Sequence, residues 1–251
     1  MRFDFFISKR LKISRNKAVE LIENKEILLN SKFFKPSFDV RTLIKNQNLT
    51  EAEILTCEEL NLKLLNEIYV SRAAFKLKSF LKDKNICIED KKCLDIGSST
   101  GGFVQILLEN KALKITALDV GTNQLHPILR DNAKINLVEN TDLRVFKSDE
   151  KFDLITCDVS FISLIHLLIY IDKLALKDII LLFKPQFEVG KDVKRDKKGV
   201  LKDEKAVQKA RNNFEKACAN LGWILQNYAK SKIKGKEGNV EYFYHYSKRQ
   251  G

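Results

Sequence analysis

The stretch Leu94-Asp95-Ile96-Gly97-Ser98-Ser99-Thr100-Gly101-Gly102-Phe103 decides the fold. It reads as a buried strand that runs into a glycine-rich turn and then a helix. A second apolar strand, Ile115-Thr116-Ala117-Leu118, follows and ends on Asp119. Glycine in such a turn lets the backbone approach a ligand, because no Cβ intrudes. A carboxylate closing the next strand can accept hydrogen bonds from both hydroxyls of a ribose, as in nucleotide-binding α/β folds. The Gly97-to-Asp119 spacing is that of one βαβ step. The turn is G-x-x-x-G-G and not G-x-G-x-x-G, since Ser99 stands at the second glycine. That second glycine admits a pyrophosphate, so its absence argues against a dinucleotide. S-adenosylmethionine has a ribose and no phosphate, and suits this turn better. A turn that merely joins strand to helix would show the same glycines.

From residue 90 onward, strand and helix patterns alternate. Strands are expected at 92–96, 115–119, 135–138, 153–157 and 178–183, and helices near 103–110, 122–131, 161–173 and 203–221. Alternation of this kind gives a parallel sheet covered on both faces, a doubly wound α/β fold. Two closing strands, Trp223–Tyr228 and Val240–Tyr246, flank a short basic turn with Lys232, Lys234 and Lys236. They predict a hairpin that adds one antiparallel strand. Residues 190–205 carry Lys191, Lys194, Arg195, Lys197 and Lys198 between Gly190 and Gly199, and read as a mobile loop beyond a strand end, where open α/β sheets bind substrates.

The first 60 residues have a different character. Residues 1–50 hold eleven basic side chains against five acids. Ser14 is a good N-cap, and Ala18, Leu21 and Ile22 form a helical stripe that Asn24-Lys25 ends. Lys9, Arg10, Lys12, Arg15 and Lys17 bracket the turn between two short helices, a face suited to phosphates. A solvated basic lobe is the plainer reading. The segment resembles an S4 domain, a small α+β RNA-binding module. Its S-R-x-x-A-x-x-L-I core matches Ser14, Arg15, Ala18, Leu21 and Ile22, with Asn24-Lys25 where that family has glycine, Asn24 being the residue expected to take the left-handed conformation. Residues 61–70 are then a linker, and 71–251 the catalytic domain.

Composition bounds the partners. The chain has 251 residues, 44% hydrophobic and 31% charged, with a net charge of +12. That excess implies an acidic partner, nucleic acid before membrane, although a lysine-rich proteome would give the same bias. Cys57, Cys87, Cys93, Cys157 and Cys218 form no C-x-x-C pair, and His126, His166 and His245 make no metal-ligand pattern. Neither a disulfide framework nor a metal site is expected, and a reducing cytoplasm suits such usage. No secretory signal is visible, and the apolar run Ile162–Ile171 is too short to span a bilayer.

Four charged residues stand where a surface charge would be odd. Lys76 lies near the start of a helix, Asp158 and Lys184 end apolar strands, and Glu241 opens the last strand. Residues just past the carboxyl ends of parallel strands line the ligand crevice, so Asp158 and Lys184 are expected as neighbours. The types suit methyl transfer to a sugar hydroxyl. That hydroxyl is a poor nucleophile until its proton is removed or shared, and a lysine can do this when a second ammonium lowers its pKa. Lys184 is the first choice for that role and Lys76 for the second cation. Ordinary strand-end salt bridges would look the same one residue at a time.

The motifs Ser71-Arg72-Ala73-Ala74-Phe75-Lys76-Leu77, Leu94-Asp95-Ile96-Gly97, Gly101-Gly102-Phe103, Asp158-Val159-Ser160-Phe161 and Lys184-Pro185-Gln186-Phe187-Glu188 together resemble the TlyA family across essentially the whole chain. These are ribosomal RNA 2′-O-methyltransferases with an S4 domain ahead of an FtsJ-like catalytic domain. The resemblance implies a catalytic set of Lys76, Asp158, Lys184 and Glu241. It implies cofactor contacts at Gly97, Ser98, Thr100, Gly101, Phe103, Asp119 and Asp158, with Asp142 at the adenine. It implies S-adenosylmethionine as cofactor and a cytidine of 23S rRNA in the large subunit as substrate, since compact members are associated with that subunit. The linker, often Arg-x-Trp-Val in the family, reads Glu67-Ile68-Tyr69-Val70 here. A non-catalytic assembly factor would be expected to lose members of the charged set, and all four are present. A haemolysin, a label this family also carries, finds no strongly amphipathic cationic helix. The oligomeric state stays open.

Overall fold

The computed structural model describes residues 1–65, 68–190, 192–235 and 237–248, so Glu67, Lys191 and Lys236 lie outside the described residues. The chain divides into two compact units, Met1–Ile68 and Tyr69–Gly251.

In the first unit, helices α1 (Phe3–Arg10) and α2 (Arg15–Glu23) precede strand β1 (Ile27–Leu29), helix α3 (Glu51–Thr56) and strand β2 (Leu62–Leu64). Ser14 caps α2 by accepting from the Lys17 N–H at 3.2 Å, and Ala18, Leu21 and Ile22 face a core shared with Phe3, Phe6 and Ile7. β2 pairs antiparallel with β1, Leu29 opposite Leu62. Leu62–Leu64 therefore belong to this unit, where the sequence suggested a linker over 61–70. Two other expectations change. The left-handed residue after α2 is Lys25 (φ 56°), while Asn24 stays helical, because the Lys25 and Glu26 N–H groups fold back onto Ile22 and Leu21. Arg15 is not a free phosphate contact: its guanidinium grips the buried Asp4 carboxylate at 3.2 Å.

The second unit contains α4 (Arg72–Lys84), β3 (Lys92–Ile96), α5 (Gly102–Glu109), β4 (Lys114–Leu118), α6 (Pro127–Arg130), β5 (Ile135–Val138), β6 (Phe152–Cys157), α7 (Leu168–Leu174), β7 (Ala175–Phe183), α8 (Pro185–Glu188), α9 (Glu204–Asn220), β8 (Trp223–Lys230) and β9 (Tyr242–Lys248). Among the described residues the sheet runs β5-β4-β3-β6-β7-β9-β8, with β9 alone antiparallel to its neighbours. Side chains alternate across it. Ile179, Leu181 and Phe183 join the core beneath α7 and α9, while Ile180 and Leu182 join the core beneath α4 and α5. A strand buried on both faces needs a continuous apolar run, which β7 supplies.

Two helices are shorter than the sequence suggested. Helix 122–131 shrinks to Pro127–Arg130, because Pro127 starts it and the His126 ring accepts from the Ile128 N–H at 3.3 Å. Helix 161–173 splits into a short turn, Leu164–His166, and α7. The half-buried Glu188 carboxylate takes the Leu164 N–H at 2.7 Å and the Ser163 hydroxyl at 2.5 Å, which starts the turn there and leaves 159–162 as a loop. The 190–205 segment is not a free loop. The Asp196 carboxylate accepts from the Lys198 and Val200 N–H groups, and the buried Asn239 amide holds Gly199 and Leu201. No helix among the described residues is long and apolar enough to cross a membrane.

Candidate active site at the carboxyl edge of the sheet

Strand register lines up the charged residues. Ile96 faces Leu118 on one side and Cys157 on the other, and Phe183 faces Tyr242. Asp119, Gly97, Asp158, Lys184 and Glu241 each stand one residue beyond those positions, along one edge of the sheet. The parallel strands β4, β3, β6 and β7 all end there, and β9 begins there. This is where a doubly wound sheet opens its crevice.

At the β4–β3 end lies a cleft of about 360 Å³, the size of small-ligand pockets, lined by Gly97, Ser99, Asp119, Asp142 and Phe161 among others. Gly97 has φ 77°, and a Cβ there would meet the Asp158 carbonyl oxygen at 2.9 Å, so the turn can be this tight only with glycine. Asp119 is 9% exposed and its two oxygens accept from the Ser99 and Gly121 N–H groups, each at 2.7 Å. Each oxygen keeps a second lone pair, so the carboxylate is fixed in orientation yet free to accept two hydroxyls. Asp142 lines the same cleft but is gripped by Arg144, through the backbone N–H at 2.8 Å and the guanidinium at 2.7 and 2.9 Å. That pairing holds its pKa below the usual range.

A second cavity of about 210 Å³ shares Gly97, Ser99, Asp158 and Ser160 with the first and adds Asp95, Ser98, Thr100, Phe103 and Lys184. Asp95 is 1% exposed; Oδ1 accepts from the Thr156 hydroxyl at 2.6 Å, whereas Oδ2, like the Ser98 hydroxyl, has no partner among the described residues. Burial pushes the Asp95 carboxyl up to about 7, with the Asp158 and Asp119 charges adding to it against the Thr156 hydrogen bond. A buried carboxylate oxygen without a donor is open to a donor from a ligand, and an ammonium is one such group.

Next along the edge, the Lys184 Nζ lies 2.6 Å from Asp158 Oδ1 and donates to the Ser160 hydroxyl at 2.9 Å. Asp158 Oδ1 accepts no well-angled hydrogen bond, so its contact with Lys184 is an ion contact. One strand over, Lys76 from α4 donates to Glu241 Oε2 at 2.7 Å. The four charged residues thus form two ion pairs at neighbouring strand ends, Lys184 with Asp158 and Lys76 with Glu241.

Gly101 stands apart. It lines neither cavity; with φ 94° it makes room for Leu125 and Leu129, whose Cδ1 atoms would lie 2.7 and 2.4 Å from a Cβ. Phe103 is chiefly core, stacked on Phe243. Two residues carried no role in the sequence reading, though both stand in the Asp158-Val159-Ser160-Phe161 motif. Ser160 holds Lys184, and Phe161, 92% exposed with φ 65°, stands at the lip of the cleft tilted against Phe187. An aromatic three residues after the strand-end acid Asp158 was the available signal.

The fold and the site define a class: a Rossmann-like methyltransferase whose cofactor is S-adenosylmethionine. The residues fit that cofactor. Asp119 suits the ribose, the apolar walls from Leu118, Leu143 and Ile162 suit the adenine, and Asp95 Oδ2 suits the ammonium of the methionine end. Residues 69–248 match the FtsJ-like methyltransferase family. The 23S rRNA (cytidine-2′-O)-methyltransferase TlyA of Campylobacter jejuni is 73% identical over 252 residues, 99% of this chain and 100% of that protein. The 16S/23S rRNA (cytidine-2′-O)-methyltransferase TlyA of Mycobacterium tuberculosis is 32% identical, over 94% of this chain and 85% of that protein. A solved structure described as a hemolysin from Lactococcus lactis superposes with a TM-score of 0.68 at 37% identity, over 72% of this chain and 89% of that one. The chain belongs to the FtsJ-like methyltransferases and, within them, to the TlyA family.

Proposed function

We propose that this protein transfers the methyl group of S-adenosylmethionine to the 2′-hydroxyl of a cytidine in 23S rRNA of the large ribosomal subunit, in the cytoplasm. The observation that carries the reading is the Lys184–Asp158–Ser160 cluster, which opens onto the cavity that adjoins the cofactor cleft. The 73% identity to a 23S rRNA (cytidine-2′-O)-methyltransferase supports the nucleotide and the subunit.

When bound, the cofactor supplies a methyl group made electrophilic by its sulfonium. The chain's part is to make a ribose oxygen nucleophilic and to aim it. Lys184, steadied by Asp158 and Ser160, is placed to hold the hydroxyl and, as the free amine, to take its proton as negative charge develops on oxygen, becoming the ammonium. A fixed ammonium in a largely buried site stabilises that charge far more than water does. Asp158 positions Lys184, and the Lys76–Glu241 pair shapes the next strand end. The N-terminal unit, read as S4-like, supplies RNA affinity: Lys9 and Lys12 have no ion-pair partner among the described residues, while Arg15 and Lys17 are paired with Asp4 and Glu20.

The experiment is to map ribose 2′-O-methylation on rRNA from cells with and without the protein, and to repeat the transfer in vitro on large subunits from the deletion strain. One cytidine in 23S rRNA should lose its methyl group in the deletion and regain it in vitro. An unchanged methylation map would defeat the reading.

A further inference from the structure

Beyond Lys184 and Glu241, the same sheet edge continues to β8, and there a separate cleft of about 430 Å³ opens. Four cations line it: Lys202 from the segment before α9, Arg211 from α9, Lys230 at the end of β8, and Lys234 in the turn that follows. Register fixes its place. Phe183 faces Tyr242, and Tyr242 faces Lys230, so Lys230 stands two strands away from the Lys184 strand. Strands lie about 4.8 Å apart, which puts the cleft about 10 Å along the edge from the catalytic lysine.

Two of the four cations carry an ion pair, Arg211 with Glu215 at 3.3 Å and Lys202 with Asp196 at 3.4 Å. Lys230 and Lys234 have no ion-pair partner among the described residues. Arg211 is fixed as a wall, its face 4.5 Å from the Tyr228 ring and 4.9 Å from Tyr242, its Nε donating to the Tyr244 hydroxyl at 2.8 Å. Two acids also line the cleft. Asp203 is occupied in capping α9, accepting from the Ala206 N–H at 2.9 Å, which leaves Glu204 as the opposing charge. The walls are held: Asn239, 5% exposed, clamps Gly199 and Leu201 to the segment that leads into Glu241.

We propose that this cleft binds the RNA backbone beside the target nucleotide, its lysines taking the phosphodiester anions one or two positions from the ribose that Lys184 engages. The inference rests on the RNA methyltransferase reading and adds a subsite to it. A row that runs cofactor, Asp158, Lys184, Glu241, Lys230 would hold the strand in register with the methyl group. Phosphate contacts position a nucleic acid without reading its sequence.

The test uses full-length protein and purified large subunits lacking the modification. Binding is measured across a series of salt concentrations for the parent, Lys230→Ala, Lys234→Ala and, as a control at the opposite end of β7, Lys177→Ala. Each cleft variant should flatten the slope of log K against log salt by roughly 0.7–0.9, because one phosphate contact fewer releases fewer counterions. The RNA concentration for half-maximal single-turnover rate should rise several-fold, with the saturated rate and S-adenosylmethionine affinity unchanged. Lys177→Ala should match the parent. If both cleft variants keep the parental slope and half-saturation while the parent methylates its RNA, the cleft proposal is wrong and the enzyme reading stands. If the parent binds with the steeper slope but transfers no methyl group, the enzyme reading fails and the cleft remains an RNA site.

Discussion

Replacing Asp119 by alanine tests the cofactor site most directly. The carboxylate's fixed orientation, set by the Ser99 and Gly121 N–H groups, leaves one lone pair on each oxygen facing the cleft. Hydrogen bonds to a charged group contribute about 1.5–3 kcal/mol. Loss of the ribose contact should therefore raise the Kd for S-adenosylmethionine by roughly 10- to 150-fold, at 1.4 kcal/mol per factor of ten. The variant also strands two backbone N–H groups, so the ligand-free protein should unfold at a lower temperature. Calorimetric titration reads the first effect and thermal denaturation the second. Adenosine and 2′-deoxyadenosine separate the ribose contact from general damage to the turn. The parent should prefer adenosine, and Asp119→Ala should bind the two alike. A folded Asp119→Ala that binds the cofactor within about twofold of the parent, roughly 0.4 kcal/mol, would refute the assignment.

The pH dependence of cofactor affinity should report Asp95. Its folded pKa of about 7 means that a cationic ammonium binds best once the carboxyl has ionised, so affinity should climb as pH rises through 7 and level off above it. Asp95→Asn should flatten that climb in titrations from pH 5.5 to 8.5, and a pH-independent parent would contradict the ammonium placement. Acid stability should report Asp178, held at about 2 by His245 and Lys91 against the opposing effect of burial. Because its folded pKa is depressed, the stabilisation is present above the unfolded value near 3.9 and is lost as pH falls towards 2. It amounts to about 2 kcal/mol. Denaturant midpoints for Asp178→Asn should then be lower at pH 7 and converge on the parent near pH 2. Lys25→Gly should stabilise the N-terminal unit by up to about 1 kcal/mol, since Lys25 holds φ 56° that glycine adopts freely. A lower melting temperature would show that the contact of Lys25 with the Phe33 ring outweighs the strain.

Legibility followed sequence separation. Gly97, Asp119 and the strand–turn–helix between them were readable because one βαβ step is local, and its spacing alone puts the acid beside the turn. Asp158 and Lys184 were readable as charges that end apolar strands, and strand order makes them neighbours. What stayed hidden depended on partners far along the chain. Nothing local reveals that Arg15 is taken by Asp4, or that Glu188 ends the loop at 159–162 by capping Ser163 and Leu164. Gly101 looked like a ligand-facing glycine, yet its missing Cβ accommodates Leu125 and Leu129. The basic segment at 190–205 looked free because its composition is polar, and Asn239, some 40 residues on, is what holds it.

The two ion pairs lead to the sharpest test of mechanism. Lys184 touches Asp158 and Ser160 beside the cofactor cavity, whereas Lys76 is joined to Glu241 and lines neither cavity. The two lysines therefore should not be equivalent. Lys184→Ala should abolish methyl transfer while leaving cofactor and RNA affinity near parental, because its contribution begins as charge develops on the ribose oxygen. Lys184→Arg should fail as well: a guanidinium does not give up a proton near neutral pH, and its planar fork does not fit a site built for a point charge. Ser160→Ala keeps the ammonium and its carboxylate but frees one of its anchors, so the rate should fall by about tenfold, the worth of one ordinary hydrogen bond of about 1.4 kcal/mol. Single-turnover rates at saturating enzyme and cofactor separate these effects from binding. Near-parental turnover in Lys184→Arg would leave the lysine a purely electrostatic part, and near-parental turnover in Lys184→Ala would remove it from the chemistry.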